Sequence, residues 1–319
     1  MVELDAVVPP KFNGERLDRT AARLFAEDAG ADVAVSRSEL ARWIRAGELT
    51  LDGRVVKPST AVASGQCLRL KATRAARFDW QSAESLDFQV VYEDDDIIVV
   101  DKPGGLVVHP GAGNPRGTLV NGLLGLRPDL AVLPRAGLVQ RLDKDTSGLM
   151  VVAANSTSLL KLGEAMRERR IERHYLAVAE GVVIADQTVD LPIGRDPTNR
   201  LRQTVRDDGR EAVTHIAVGR RFAAHTLVHA RLETGRTHQV RVHLAAIGHP
   251  LVGDRRYGAR RIVPPEASAD QARTIQEFPR QALHASRLAL PHPVGGARVD
   301  FESEPPEDVK CLLHALEEA

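Results

Sequence analysis

Residues 140–152 read Gln140-Arg141-Leu142-Asp143-Lys144-Asp145-Thr146-Ser147-Gly148-Leu149-Met150-Val151-Val152. Charged residues give way directly to apolar ones, the pattern of a charged loop feeding a buried strand. Reactive groups are often held this way, fixed by the strand and left accessible by the loop. The same residues also fit a charged turn in which Arg141 and Lys144 neutralise Asp143 and Asp145. The chain contains a control, because Arg16-Leu17-Asp18 repeats the tripeptide where the pattern reads as a surface helix start.

Working outward, residues 97–100, 149–153, 175–179, 215–218 and 226–232 are short β-rich runs bounded by Gly, Pro, Asp or Asn. Residues 157–169 and 237–247 read as helices; the second has Val240, Leu244 and Ile247 on one face, Gly248 at its stop and Pro250 beyond. Many strands with few helices between them predict an α+β domain with a mixed, largely antiparallel sheet. A smaller module precedes it. Leu17, Ala21, Leu24 and Phe25 recur at helical spacing over residues 13–25. Ser36 and Glu39 form a capping box for a second helix with Leu40, Trp43 and Ile44 as its stripe and Gly47 as its stop. Strands follow near residues 49–51 and 67–70. The boundaries expected are 11–77 and 88–315, with an aliphatic-poor linker over residues 73–87.

A chain of 319 residues can bury a substantial core. Two cysteines, Cys67 and Cys311, form no paired spacing, which excludes a disulfide scaffold or a cysteine-rich zinc module and favours a reducing, cytoplasmic setting. No apolar run approaches a membrane span, and residues 1–10 lack the basic start of a signal peptide. The net charge of zero is unevenly spread: residues 11–77 carry 13 basic and 8 acidic side chains, and residues 78–101 carry none and 8. Basic residues are mostly arginine, 36 against 7 lysines, the better planar partner for phosphate.

Phosphate-loop, serine-hydrolase and helical zinc motifs are absent, and no metal or nucleotide cofactor is expected. Residues 233–243, Glu233-Thr234-Gly235-Arg236-Thr237-His238-Gln239-Val240-Arg241-Val242-His243, gather cations at a helix start. That suits an anion, either a phosphate or a carboxylate such as Asp143, and equally suits a solvated surface helix.

Taken together, several segments resemble the RluA-type family of RNA pseudouridine synthases. They are residues 92–103, Gly105 to Pro110, Arg141-Leu142-Asp143 through Leu149, Glu172 to Ala177, Glu233 to His243, His249 to Asp254, Arg280 to Ala285, and His292-Pro293. The first 75 or so residues resemble an S4 RNA-binding module, through Arg16-Leu17-Asp18, Ser36-Arg37-Ser38, Ile44 to Gly47, Asp52-Gly53 and Lys57-Pro58-Ser59. One departure is Gln140, where the family often has His.

The resemblance implies a pseudouridine synthase fold, no cofactor, and an RNA partner in a stem-loop of 23S large-subunit rRNA. It assigns Asp143 as the catalytic carboxylate, acting as nucleophile or as base. Arg241 would be its ion-pair partner, and Tyr175 would stack on uracil and help remove the C5 proton. Arg141 would fill the space left by a flipped base. Arg16, Arg37, Arg45, Lys57 and Arg236 would contact RNA, and the protein would act as a monomer. Two other readings stay open: an RNA-binding or ribosome-assembly protein with secondary or lost catalysis, and a glycosidic-bond hydrolase using Asp143 with Asp145.

Overall fold

The computed structural model describes residues 2–28, 37–72, 82–111, 113–258 and 261–318. Two compact units divide the chain, Met1–Asp79 and Trp80–Ala319. The first holds β1 (Val2–Val7), α1 (Leu17–Asp28), α2 (Arg37–Ala46), β2 (Leu49–Leu51) and β3 (Cys67–Ala72). Its antiparallel sheet has the order β1-β3-β2. Leu17, Ala21 and Leu24 on α1 meet Leu40, Trp43 and Ile44 on α2 over Leu49, Leu51, Leu68 and Leu70. This is the core the helical spacing predicts. Gly47 ends α2 with φ 78°, a conformation cheap only for glycine, and Glu48 N–H bonds back to Trp43 O at 2.9 Å. The predicted cap Ser36 lies outside the described residues.

The expected start at residue 11 is too late. β1 pairs with β3 along its whole length, Val2 opposite Ala72 through Val7 opposite Cys67. Glu3 and Asp5, which argue against a basic leader, are the solvent side of this strand and pair with Lys71 and Arg69. In the control tripeptide Leu17 is fully buried and Arg16 grips Asp18 with two 3.1 Å bonds. Asp18 itself is buried, contrary to a wholly surface reading.

The second unit contains, in chain order, β4 (Gln89–Glu93), β5 (Ile97–Lys102), α3 (Leu119–Leu126), β6 (Ser147–Ala153), α4 (Ser156–Arg167), β7 (Glu172–Glu180), β8 (Gln187–Asp190), β9 (Ile193–Arg195) and β10 (Gln203–Val205). These are followed by β11 (Val213–Arg221), β12 (His225–Leu232), α5 (Gln239–Ala246), α6 (Ala269–Glu277), β13 (Leu283–Pro291), β14 (Arg298–Glu302) and α7 (Glu307–Glu317). A nine-stranded sheet runs β4-β5-β6-β13-β7-β12-β11-β8, with β14 added on β13. All its pairs are antiparallel except β6 with β13, which bears out the mixed, largely antiparallel expectation.

Alternation along β6 explains its unbroken apolar run. Met150 and Val152 enter the core that contains α3 and α5, while Leu149, Val151 and Ala153 enter a second core with Leu162 and Ala165 of α4. A strand covered on both faces has no solvent side to keep polar. Among the described α-helices, periodicity missed α3, α6 and α7. β13 was legible only as a motif and not as a strand. The boundary at 88 also shifts, because Glu84 N–H bonds to Asn121 O at 3.0 Å and the Asn121 side chain donates to Ser82 O at 2.8 Å. The boundary at 315 shifts as well, since α7 runs to Glu317.

β6 and β13 share only two residue pairs, His284 with Ser147 and Ala285 with Gly148. Gly148 has φ 112°, and a Cβ there would lie 2.3 Å from Ala285 O. Beyond Ala285, β14 takes the edge that β6 leaves. The charged loop of residues 140–146 therefore enters the sheet where two strands part.

Two buried titratable groups face each other across β7 and β12, Glu180 and His225. Burial raises the Glu180 carboxyl to about 7, against a smaller opposing effect of Arg261. Burial lowers His225 to about 4. The signs oppose. Glu180, raised from 4.5, contributes stability that is present below that value and lost as pH rises toward about 7. His225, depressed from 6.5, contributes stability that is present above that value and lost as pH falls toward about 4. Denaturant melts of Glu180→Gln are expected to expose a stability that rises from pH 4 to 6.5. His225→Gln should expose the reverse slope toward pH 7. Parallel curves for both variants and the unaltered protein would contradict this.

Candidate active site

The loop entering β6 is fixed by its backbone. Thr146 N–H bonds to Asp143 O at 3.1 Å, and Gly105 N–H to Lys144 O at 3.0 Å. The fully buried Lys102 donates to Lys144 O, Pro103 O and Leu106 O at 2.9, 2.7 and 2.9 Å. Burial, with the charge of Arg280, lowers its pKa to about 7. Arg280 donates to Asp145 O at 2.9 Å while its other edge grips Asp308 at 2.7 and 2.8 Å. The carbonyls of residues 143–145 are thus all engaged, and Asp143 has little freedom beyond its own side chain.

That side chain meets α5. Arg241 Nη1 donates to Asp143 Oδ2 at 2.9 Å. The same guanidinium grips Asp254 through Nε at 2.7 Å and Nη2 at 2.9 Å. Asp254 has no exposed side-chain surface. Burial pushes its pKa up, but the Arg241 hydrogen bonds and charge, with the N–H groups of Arg256 and Tyr257, hold it below the ordinary carboxylate value. Arg241 also lies over the Tyr257 ring, 5.1 Å from its centroid. Arg241, next to the predicted apolar face of Val240 and Leu244, is itself buried.

His238 forms the other wall. It precedes α5 in a left-handed conformation, φ 59°, so the helix begins at Gln239 and not at the expected Thr237. Tyr257 Oη accepts from Gln203 N–H at 2.8 Å and lies 2.7 Å from His238 Nδ1. Burial lowers the His238 pKa, against the charge of Asp143. His238 Nε2 faces Asp143 Oδ1 at 3.8 Å.

Tyr175 on β7 is buried, and burial raises its hydroxyl pKa, so the phenol stays neutral at pH 7. Asp143, Tyr175 and Arg241 together line a cavity of about 50 Å³. Asp143 and Tyr175 also lie on a cleft of about 880 Å³ with Arg135, Arg141, Arg167, Arg169, Arg173 and Arg236. Arg141 donates to Thr237 Oγ1 at 3.2 Å, and the half-buried Arg236 donates from Nε to Glu211 O at 2.8 Å. Gln239 ties the turn before α5 by accepting from Thr234 Oγ1 and Arg236 N–H and donating to Val213 O and Thr214 Oγ1. Arg16, Arg45 and Lys57 are exposed in the first unit, where the Arg37 side chain lies outside the described residues. Among the described residues, Asp94, Asp96 and His292 are near enough to share an ion; none lines the cleft, and their inner oxygens are taken by turn hydrogen bonds.

A profile of the RNA pseudouridylate synthase family matches residues 96–246, and an S4 domain profile matches residues 31–66. The Ribosomal large subunit pseudouridine synthase D of Pseudomonas aeruginosa is 49% identical over 316 residues, covering 99% of this chain and 96% of that protein. The chain belongs to the RNA pseudouridine synthase family. The protein of the same name from Xanthomonas campestris is 45% identical, with 98% and 92% covered. Among solved structures, human RNA Pseudouridylate Synthase Domain Containing 4 superposes with a TM-score of 0.57 at 26% identity, over 72% of this chain and 92% of that one.

Sequence reasoning about this synthase missed Asp254, His238, Tyr257 and Lys102 as parts of the site. Asp254 and His238 lie in quoted segments, but nothing in their spacing announces a shared partner. Arg241→Met is expected to cost stability as well as turnover, since it strands Asp254 along with Asp143. Losing a buried partner costs on the order of 3–5 kcal/mol. Arg241→Lys keeps one charge but cannot serve three oxygens and should fall between. Chemical denaturation and single-turnover rates measure the two effects. An undisturbed melt for Arg241→Met would refute the two-carboxylate role.

Proposed function

We propose that this synthase isomerises uridines in a stem-loop of large-subunit ribosomal RNA, with Asp143 as the carboxylate that acts at the ribose. The observation that carries the reading is the division of labour on Asp143. Oδ2 is held by Arg241 at 2.9 Å, Oδ1 has His238 Nε2 only at 3.8 Å, and Asp143 lines a cavity with Tyr175. A carboxylate fixed by one oxygen is aimed, and its free oxygen can attack C1′ or take a proton.

The reaction breaks the C1′–N1 bond, rotates uracil and closes C1′–C5. The C5 proton leaves and N1 gains one, so no electrons enter or depart. Tyr175 offers a buried ring face for the base and a neutral hydroxyl near the leaving proton. A uridine in a stacked loop must be extruded to reach Asp143, and Arg141 at the cleft mouth is placed to occupy the vacated stack. Arg236, with Arg16, Arg37, Arg45 and Lys57 of the first unit, supplies phosphate contacts. The relatives named for the large ribosomal subunit, similar over nearly their full length, support the choice of ribosomal RNA. The enzyme works as a cytoplasmic monomer in this reading.

Pseudouridine mapping of total RNA with and without the protein tests target and reaction together. Gain of pseudouridine at large-subunit sites is expected, whereas free uracil would indicate hydrolysis. Asp143→Asn should abolish turnover with RNA affinity nearly intact, because affinity comes mainly from phosphate contacts. Product formation by that variant would remove Asp143 from its role.

Deleting the first unit should weaken binding and flatten its salt dependence while modification persists at high enzyme concentration. A folded but inactive truncation at saturating RNA would contradict that division of labour.

A further inference from the structure

Among the described residues, the buried cation Arg173 has no counter-ion. It sits on the central strand β7, two residues before Tyr175 and therefore on the same face. Its side chain leaves 9% of the residue exposed, and its Nε is enclosed with no hydrogen-bond partner. The one contact of its outer edge is a long 3.5 Å approach of Nη2 to Glu233 O. Neighbouring carboxylates are engaged elsewhere. Glu233 holds Arg169 and His215, and Glu172 holds Arg298 and His174. Burial lowers the proton affinity of Arg173, with only Tyr175 opposing. Gly235 makes room for it, since a Cβ there would lie 2.5 Å from Arg173 Nη1.

The surroundings are cationic too. Arg236 is pushed down by burial and by the charge of Arg210, with Arg169 and Arg173 adding to the repulsion against Glu211. A guanidinium taken out of water without a partner is costly, and such sites are normally relieved by an anion. Both Arg173 and Arg236 line the cleft that holds Asp143.

We propose that Arg173 is the receptor for a single RNA phosphate flanking the uridine that reacts, with Arg236 closing on the same phosphate from the cleft edge. The planar fork of arginine matches two phosphate oxygens, supplying the anion the fold withholds. Its place one strand step from Tyr175 puts that phosphate about a sugar's length from the base that stacks there. The assignment rests on the function proposed above and deepens it by naming where the backbone is gripped.

The test uses the full-length protein and a uridine stem-loop carrying a neutral methylphosphonate at one backbone position at a time. Arg173→Met should weaken RNA binding roughly 10- to 100-fold, the range of a charged hydrogen bond. One methylphosphonate position should weaken the unaltered protein by the same factor. At that position Arg173→Met should show no further loss, while losses at other positions should persist. Arg173→Lys should recover part of the affinity. The free Arg173→Met protein should melt at the same temperature or higher, because it sheds an unpaired buried charge. A lower melting temperature, normal binding by Arg173→Met, or losses that multiply at every position would each overturn the proposal. Absence of pseudouridine with the unaltered protein would instead sink the functional reading, and the affinity arm would still decide Arg173.

Discussion

Arg241 stands between two carboxylates, and much of the site follows from that geometry. Asp254 takes two of its donors and is itself pinned by two backbone N–H groups. With Nε and Nη2 committed, the direction of Nη1 is no longer free. It points at Asp143. The pair of ion bridges thus converts a flexible side chain into a fixed fork. Two carboxylates share one guanidinium, so a net negative charge remains on the group, and Asp143 lines the cleft. An isolated Asp143–Arg241 pair would give neither the fixed direction nor the surplus charge.

The sheet supplies the complementary constraint. β6 and β13 are parallel for two residue pairs and then separate. At that separation the backbone of residues 143–146 leaves the ladder, and its carbonyls would be stranded without other partners. Lys102, Gly105 and Arg280 take them up. Lys102 ties Lys144 O of this loop to Pro103 O and Leu106 O of the segment that follows β5. The loop of residues 143–146 is therefore tied to the elements around it, which suits the placing of one oxygen against one carbon proposed for Asp143.

The parts of this arrangement differ in how far the sequence discloses them. Local periodicity exposed α1, α2, α4 and the strands with continuous β-branched runs, because each buries a face its own residues define. It did not expose β1, whose residues read only as lacking a signal peptide's basic start; Glu3 and Asp5 pair there with Lys71 and Arg69 of β3. The run Asp94-Asp95-Asp96 reads as an acidic surface, yet Asp94 caps the β4–β5 turn and bonds His292, 198 residues away. Asp143, Tyr175 and Arg241 were reached by resemblance to a family, and their spacing alone left a solvated turn and a solvated helix equally available. Asp254 and Tyr257 act through contacts made only when α5 packs beside the turn that follows it, so no local pattern carries them.

The two buried arginines of the cleft show opposite solutions to one problem. Arg241 is neutralised twice over by carboxylates within the fold, so its position is part of the folded state's own stability. Arg173, equally withdrawn from water, has no such partner among the described residues, and Gly235 lacks even a side chain that could shield it. A core optimised for stability alone would place an apolar residue at that point of β7. Retaining a cation there is understandable where another molecule completes the site. An RNA backbone carries one negative charge per nucleotide and offers that charge only when it is seated in the cleft. In the free protein surplus positive charge thus lies with Arg173 and its neighbours, and surplus negative charge with the two carboxylates that share Arg241. Binding in this proposal draws its favourable electrostatics from Arg173 and its neighbours, while Asp143 has its partner within the fold in Arg241.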